Sequence, residues 1–212
     1  MKADFWHDRW QRNQIGFHNS EVHPLLIRFW PTLELSKDAR VLVPLAGKSL
    51  DVRWLLEQGH AVTAVELNEL AVKNFFAEQQ WPATITHRAQ HTVFHHEALE
   101  FWVGDLFAIK NENVTAFEGV YDRAALIALP PEMRARYVET MSALLKPGAK
   151  YLLISLEYPN DTLSGPPFAI DGQEIQSLFD ESFSINFHSR HPSEVKGHPC
   201  FETVYTLQRL DV

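Results

Sequence analysis

The stretch 40–66, RVLVPLAGKSLDVRWLLEQGHAVTAVE, decides the fold. Arg40-Val41-Leu42-Val43 is a short apolar run of strand type, and Pro44 to Ser49 follows it as a turn of mostly small residues. Asp51 through Gln58 has the pattern of a helix closed by Gly59, and Ala61-Val62-Thr63-Ala64-Val65 is a second strand ending on Glu66. Both strands are apolar on both faces, the mark of parallel strands covered by helices. One strand, one helix and one strand in this order make a βαβ unit.

The same grammar continues on either side. Downstream, Asn68 is placed to cap a helix running to about Gln79. Leu99 to Val103 predicts a third strand, ending at Gly104-Asp105, and Gly119 to Asp122 a fourth. Pro131 to Leu145 predicts a helix stopped by Lys146-Pro147-Gly148, before a fifth strand over Tyr151 to Leu156. A loop over Pro159 to Pro167 leads to a helix from about Gln173 to Phe179. The alternating runs Phe183 to Arg190 and Phe201 to Arg209 then form an antiparallel pair. Upstream, Asp4 is placed to cap a helix bearing Trp6 and Trp10 on one face, Gly16 breaks the pattern, and a second short helix runs from Pro24 to Trp30. The order predicts an α/β fold in one domain over 1–212. It is a Rossmann-like, seven-stranded, mostly parallel sheet with an antiparallel C-terminal strand, helices on both faces, and a helical cover in residues 1–35.

Composition narrows the partners. The chain has 212 residues, 45% hydrophobic and 22% charged, as ordinary globular domains do. No apolar run approaches the roughly 20 residues that span a bilayer. Lys2, Asp4, His7, Asp8 and Arg9 interrupt any secretory core, so a cytoplasmic protein without a membrane partner is expected. A net charge of −8 without a basic stripe argues against nucleic acid. Cys200 is alone, which leaves no disulfide framework and suits a small buried side chain. His87, His91 and His95 fall at i, i+4 spacing, which on a helix could gather a metal. However, Thr86, Thr92 and Val93 interrupt and no nearby carboxylate precedes Glu97, so these are expected as exposed loop histidines without a metal. A monomer is the simplest expectation.

In open α/β sheets a ligand lies at the carboxyl ends of the strands. The first such tip has one glycine, Gly47, and lacks the Gly-x-Gly-x-x-Gly fingerprint. It is not a phosphate loop either, since Leu42 stands where that loop needs its first glycine. One small-residue step, Ala46-Gly47, suits a nucleoside ligand without phosphate, such as a sulfonium cofactor; it also suits a plain tight turn. Glu66 ends the second strand nineteen residues after Gly47, the spacing at which an acidic residue takes ribose hydroxyls, although a charge favouring the next helix would look alike. Asp105 is placed to accept from an adenine amine or to sit in a solvated turn. Asp122-Arg123 is placed either to fork a ligand carboxylate or to pair internally.

Together, Val43-Pro44-Leu45-Ala46-Gly47-Lys48-Ser49, Val65-Glu66 and Tyr121-Asp122-Arg123-Ala124-Ala125-Leu126 resemble the thiopurine S-methyltransferase family in its bacterial form. Trp6-His7-x-x-Trp10, Ile15-Gly16-Phe17-His18 and Gly165-Pro166-Pro167-Phe168 extend the resemblance over nearly the whole chain. The antiparallel last strand is also similar to the class I methyltransferase fold. The resemblance implies S-adenosyl-L-methionine as cofactor, contacted by Trp10, Leu45, Glu66 and Arg123 beside the close approach already expected at Gly47, with Asp105 and Leu106 near the adenine. It implies a small aromatic or heterocyclic thiol as acceptor, lined by Phe17, and at family level selenium or tellurium compounds. No general base is assigned, because such thiols ionise readily. Ala46 stands where the family often has cysteine, in a turn that acts through its backbone. Beside this stand a methyltransferase of oxygen or nitrogen acceptors, a nicotinamide-dependent oxidoreductase, which the missing glycines disfavour, and a nucleoside-binding module.

Overall fold

The computed structural model describes residues 3–110, 112, 114–159 and 162–211. Six helices and nine strands follow one another along them. The strands β1 (Arg40–Val43), β2 (Ala61–Glu66), β5 (Leu99–Val103), β6 (Phe117–Arg123) and β7 (Leu145–Glu157) are parallel to their neighbours in the order β5-β2-β1-β6-β7. At one end β9 (His198–Arg209) pairs antiparallel with β7, and β8 (Phe183–Val195) lies outside it. These are the seven expected strands.

The sheet nevertheless has nine strands, not seven. β3 (Thr84–Arg88) and β4 (His91–His96) form a hairpin that pairs antiparallel with β5 at the far edge. The expected loop histidines are therefore strand residues, and their helical spacing is incidental. In a strand, the side chains of His91 and His95 share a face because their separation is even. His91 is 3% exposed, so it is not an exposed loop histidine. The terminal strands also run longer than their alternation suggests. Lys196 and Gly197, at φ 50° and 80°, join them in a two-residue turn of the I′ pattern. Of the expected loop over Pro159 to Pro167, Asn160 and Asp161 lie outside the described residues.

Helices cover both faces, and strand alternation divides the core between them. Val41, Val43, Val62 and Ala64 pack with Leu26 and Phe29 of α2 (Pro24–Phe29), Val52 and Leu55 of α3 (Leu50–Glu57), and Val72, Phe75 and Phe76 of α4 (Glu69–Gln79). Leu42, Val65 and Val120 face the other way, toward Tyr137 and Met141 of α5 (Pro131–Leu144) and Ile175 and Phe179 of α6 (Gly172–Phe179). Asn68 caps α4 as expected, its side chain accepting from the Leu70 N–H at 2.9 Å. Asp4 lies within the first turn of α1 (Ala3–Gln11) instead of capping it.

Asp122 belongs to the core. Its Oδ2 accepts from the hydroxyls of Tyr137 and Tyr151, each at 2.6 Å, and its Oδ1 accepts from the Leu126 N–H at 3.2 Å. The carboxyl is 1% exposed; burial pushes its pKa up, against the pull of those hydroxyls and backbone amides. Removing the acceptor would leave the two buried hydroxyls with only each other, 3.5 Å apart. Asp122→Ala should therefore lower the unfolding free energy by about 2–4 kcal/mol in urea titration, and Tyr137→Phe by only about 1 kcal/mol.

Candidate functional site

Glu66 stands at the carboxyl end of β2, 7% exposed. Its Oε2 accepts from the Gly47 N–H at 2.9 Å and its Oε1 from the Asn68 N–H at 2.8 Å. Its carbonyl accepts from the Gly104 N–H at 2.9 Å. One residue thus ties the turn after β1, the start of α4 and the tip of β5. Burial pushes its carboxyl from an ordinary 4.5 to about 7, while the amides of Asn68, Gly47 and Leu67 hold it back.

The turn after β1 needs unusual backbone. Leu45 and Gly47 have φ of 47° and 57°, in the left-handed region. At Gly47 the reason is also steric, because an added Cβ would lie 3.2 Å from the Trp10 ring and 4.0 Å from Phe17. Lys48 does not face a ligand phosphate; its ammonium pairs with Glu78 at 2.6 Å. Ser49 caps α3 by accepting from the Asp51 N–H at 3.2 Å.

The aromatic segment closes over this turn. Trp10 is 4% exposed, and Phe17 meets both Trp6 and Trp10 edge-on at centroid distances of 5.8 and 5.7 Å. His7 of α1 shares a hydrogen bond with the Asn68 side-chain amide at 3.0 Å, which links the cover to the loop that holds Glu66. Arg123, half-buried at the end of β6, donates from its guanidinium to the Phe17 carbonyl at 3.4 Å. Asp122 and Arg123 do not act as a pair. Alternation sends Asp122 to the α5 face, whereas Tyr121 points to the α3 side, where its hydroxyl donates to Asp51 at 2.9 Å.

Asp105 follows β5 and is exposed; its Oδ1 accepts from the Phe107 N–H at 3.0 Å. Leu106 is buried behind it, and Leu45 packs against the same core as Leu106. Hence Trp10, Phe17, Gly47, Glu66 and Arg123 converge, and Asp105 joins them through the bond from Gly104 to Glu66. Sequence patterns did not single out Asn68 as more than a cap, nor His7 or His91 as neighbours of the tips; each role comes from a contact across the fold. A hollow of about 340 Å³ opens along 18–24, past Phe17, lined by His18, Ser20, Val22 and Pro24 among others. It lies beside the tips and not at Gly47, where Trp10 and Phe17 occupy the space. The His18 imidazole there has its pKa lowered, first by burial and next by Lys48.

The donor set suits a nucleoside with an amino-acid arm. There is a buried carboxylate for vicinal hydroxyls, a guanidinium for a carboxylate and a second carboxylate one strand away. Among the described residues no three His, Cys, Asp or Glu side chains gather as a metal site, and no helix is long and apolar enough to cross a membrane.

The chain as a whole is similar to known proteins. The family profile described as "Thiopurine S-methyltransferase (TPMT)" matches residues 1–208. The thiopurine S-methyltransferase of Pseudomonas fluorescens strain SBW25 is 51% identical over 179 residues, covering 84% of this chain and 82% of that protein. The one from Shewanella sp. strain MR-7 is 44% identical over 217 residues, 99% of this chain and 100% of that one. Among solved structures, the Burkholderia thailandensis 1,6-didemethyltoxoflavin-N1-methyltransferase, with bound 1,6-didemethyltoxoflavin and S-adenosylhomocysteine, aligns at a TM-score of 0.71 with 19% identity. That alignment covers 99% of this chain and 87% of that one.

Because the folded Glu66 carboxyl holds its proton up to about pH 7 and the unfolded chain releases it near 4.5, stability should fall as pH rises across that window. Glu66→Gln should lose this component, so thermal melts from pH 5 to 8 should show a flatter profile for the variant than for the wild type.

Proposed function

The chain belongs to the thiopurine S-methyltransferase family and is an S-adenosylmethionine-dependent methyltransferase, and from that premise we propose which of its residues hold the cofactor and the acceptor. The observation that carries the proposal is the buried Glu66 carboxylate, fixed by two backbone amides at the end of β2. Each of its oxygens keeps a lone pair for a ribose hydroxyl. Gly47 and Leu45 let the chain come close to the cofactor, Asp105 and Leu106 border the adenine, and Arg123 forks the carboxylate of the methionine portion. Residues 1–35 act as the cover of one domain, with Trp10 over the cofactor and Phe17 against the acceptor ring.

The acceptor is a small aromatic or heterocyclic thiol; the relatives' names give a thiopurine for theirs. S-adenosylmethionine, when bound, supplies an electrophilic methyl: the acceptor sulfur bonds to it, the carbon–sulfonium bond breaks, and the electron pair stays on the thioether. The protein aligns the two sulfurs and keeps water out, which can remove several kcal/mol of barrier through lost rotational and translational freedom. No side chain need take a proton, since these thiols reach the site largely as thiolates. Selenium compounds, being still more nucleophilic, fit the same acceptor site in this proposal. The protein works as a monomer in the cytoplasm on this view, and no residue is given a role toward a macromolecule.

Two measurements test the roles. Calorimetry should show cofactor binding weakened about 10- to 100-fold in Glu66→Ala and Arg123→Ala but barely changed in Phe17→Ala, whose loss should appear as a raised thiol KM; equal cofactor affinity in all three would overturn the assignment. Ribose hydroxyls donate to the ionised carboxylate, so cofactor affinity should rise with pH through about 7 and release protons, and Glu66→Gln should abolish both.

A further inference from the structure

The hairpin β3–β4 lies outside the seven expected strands, yet it sends one side chain to the cofactor edge. The register pairs Thr92 with Val103, so the next residue, His91, stands opposite Gly104. His91 is 3% exposed, its ring 5.4 Å from that of Trp102. Its Nε2 lies 2.9 Å from the Asp105 carbonyl oxygen, and only a protonated Nε2 donates to a carbonyl. Gly104 leaves it the space: an added Cβ would come within 2.5 Å of the imidazole, and the φ of 150° also favours glycine there.

The consequence follows from the planarity of the peptide group. In a trans peptide the C=O and the next N–H point in opposite directions. The Asp105 oxygen also accepts from the Ala108 N–H at 3.0 Å, so the imidazole and that turn together hold the carbonyl, and the Leu106 N–H points away from both. Adenine presents an amine donor at N6 beside a ring acceptor at N1, and a carboxylate next to an N–H complements that edge. We propose that His91 is a positioning residue that aims the Leu106 N–H and the Asp105 carboxylate at the adenine edge of the cofactor. This rests on the placement of the adenine at Asp105–Leu106 proposed above.

Calorimetry with S-adenosylhomocysteine and its 1-deazaadenine analogue, which lacks the ring acceptor, tests it on the intact protein without turnover. Wild type should prefer the adenine ligand by about tenfold; His91→Phe should lose that factor for adenine alone, and His91→Gln, whose amide can still donate, should stay within about twofold of wild type. His91→Asn, too short to reach the Asp105 carbonyl, should behave as the Phe variant and replaces it if that one does not fold. Equal weakening of both ligands, or no weakening of the adenine ligand, would overturn the role of His91 while a wild-type preference kept the adenine placement. Absence of any preference in wild type would overturn both.

Discussion

A carboxylate buried at the end of a central parallel strand sets the terms for the rest of this molecule. Glu66 takes an N–H from Gly47 and another from Asn68, and its carbonyl takes a third from Gly104. The tips of β1 and β5 and the start of α4 are thereby locked to one residue. Removing a carboxylate from water is costly, and backbone amides offset only part of that cost, which is why its proton is held to about pH 7. A ligand that brings hydroxyl donors would supply what the protein alone leaves out. In the role proposed for Glu66, the fold and the affinity for the cofactor draw on one set of hydrogen bonds.

The cover depends on the same residue through short links. Asn68 donates to Glu66 with its backbone, caps α4 with its side-chain oxygen and shares its amide with His7. Trp10 rests where Gly47 has no side chain, and Arg123 holds the carbonyl of Phe17. Aromatic rings meeting edge-on at 5.7 and 5.8 Å make this a packed lid, with edge-on pairs adding stability beyond their buried area. An acceptor lined by Phe17 would therefore sense any change at Arg123, even one made for the sake of the cofactor.

Adjacent residues on β6 show how little sequence proximity says about role. Asp122 is sunk among Tyr137 and Tyr151, while Arg123 reaches the aromatic cover. The pleat alone separates them, because successive side chains leave a strand on opposite faces. The edge hairpin makes a related point. Most of β3 and β4 reads as polar surface, and β3 is exposed along its length, but His91 is buried against Gly104.

The sequence by itself determined the βαβ core, the order of the helices, the terminal antiparallel pair, and the resemblance that pointed to the cofactor. These features are local: apolar runs of strand length, a capping Asn68, a glycine stop and fixed spacings between Gly47 and Glu66 leave their mark within a few tens of residues. What only the tertiary structure decided is everything carried by contacts between distant segments. The β3–β4 hairpin was hidden because Thr and His outnumber Ile85, Val93 and Phe94 there, and only pairing with β5 gives it a place. The separation of Asp122 from Arg123, the pairing of Lys48 with Glu78, and the closeness of Trp10 to Gly47 likewise depend on which surfaces meet. A side chain's chemistry is written in the chain; its direction and its partners are set by packing.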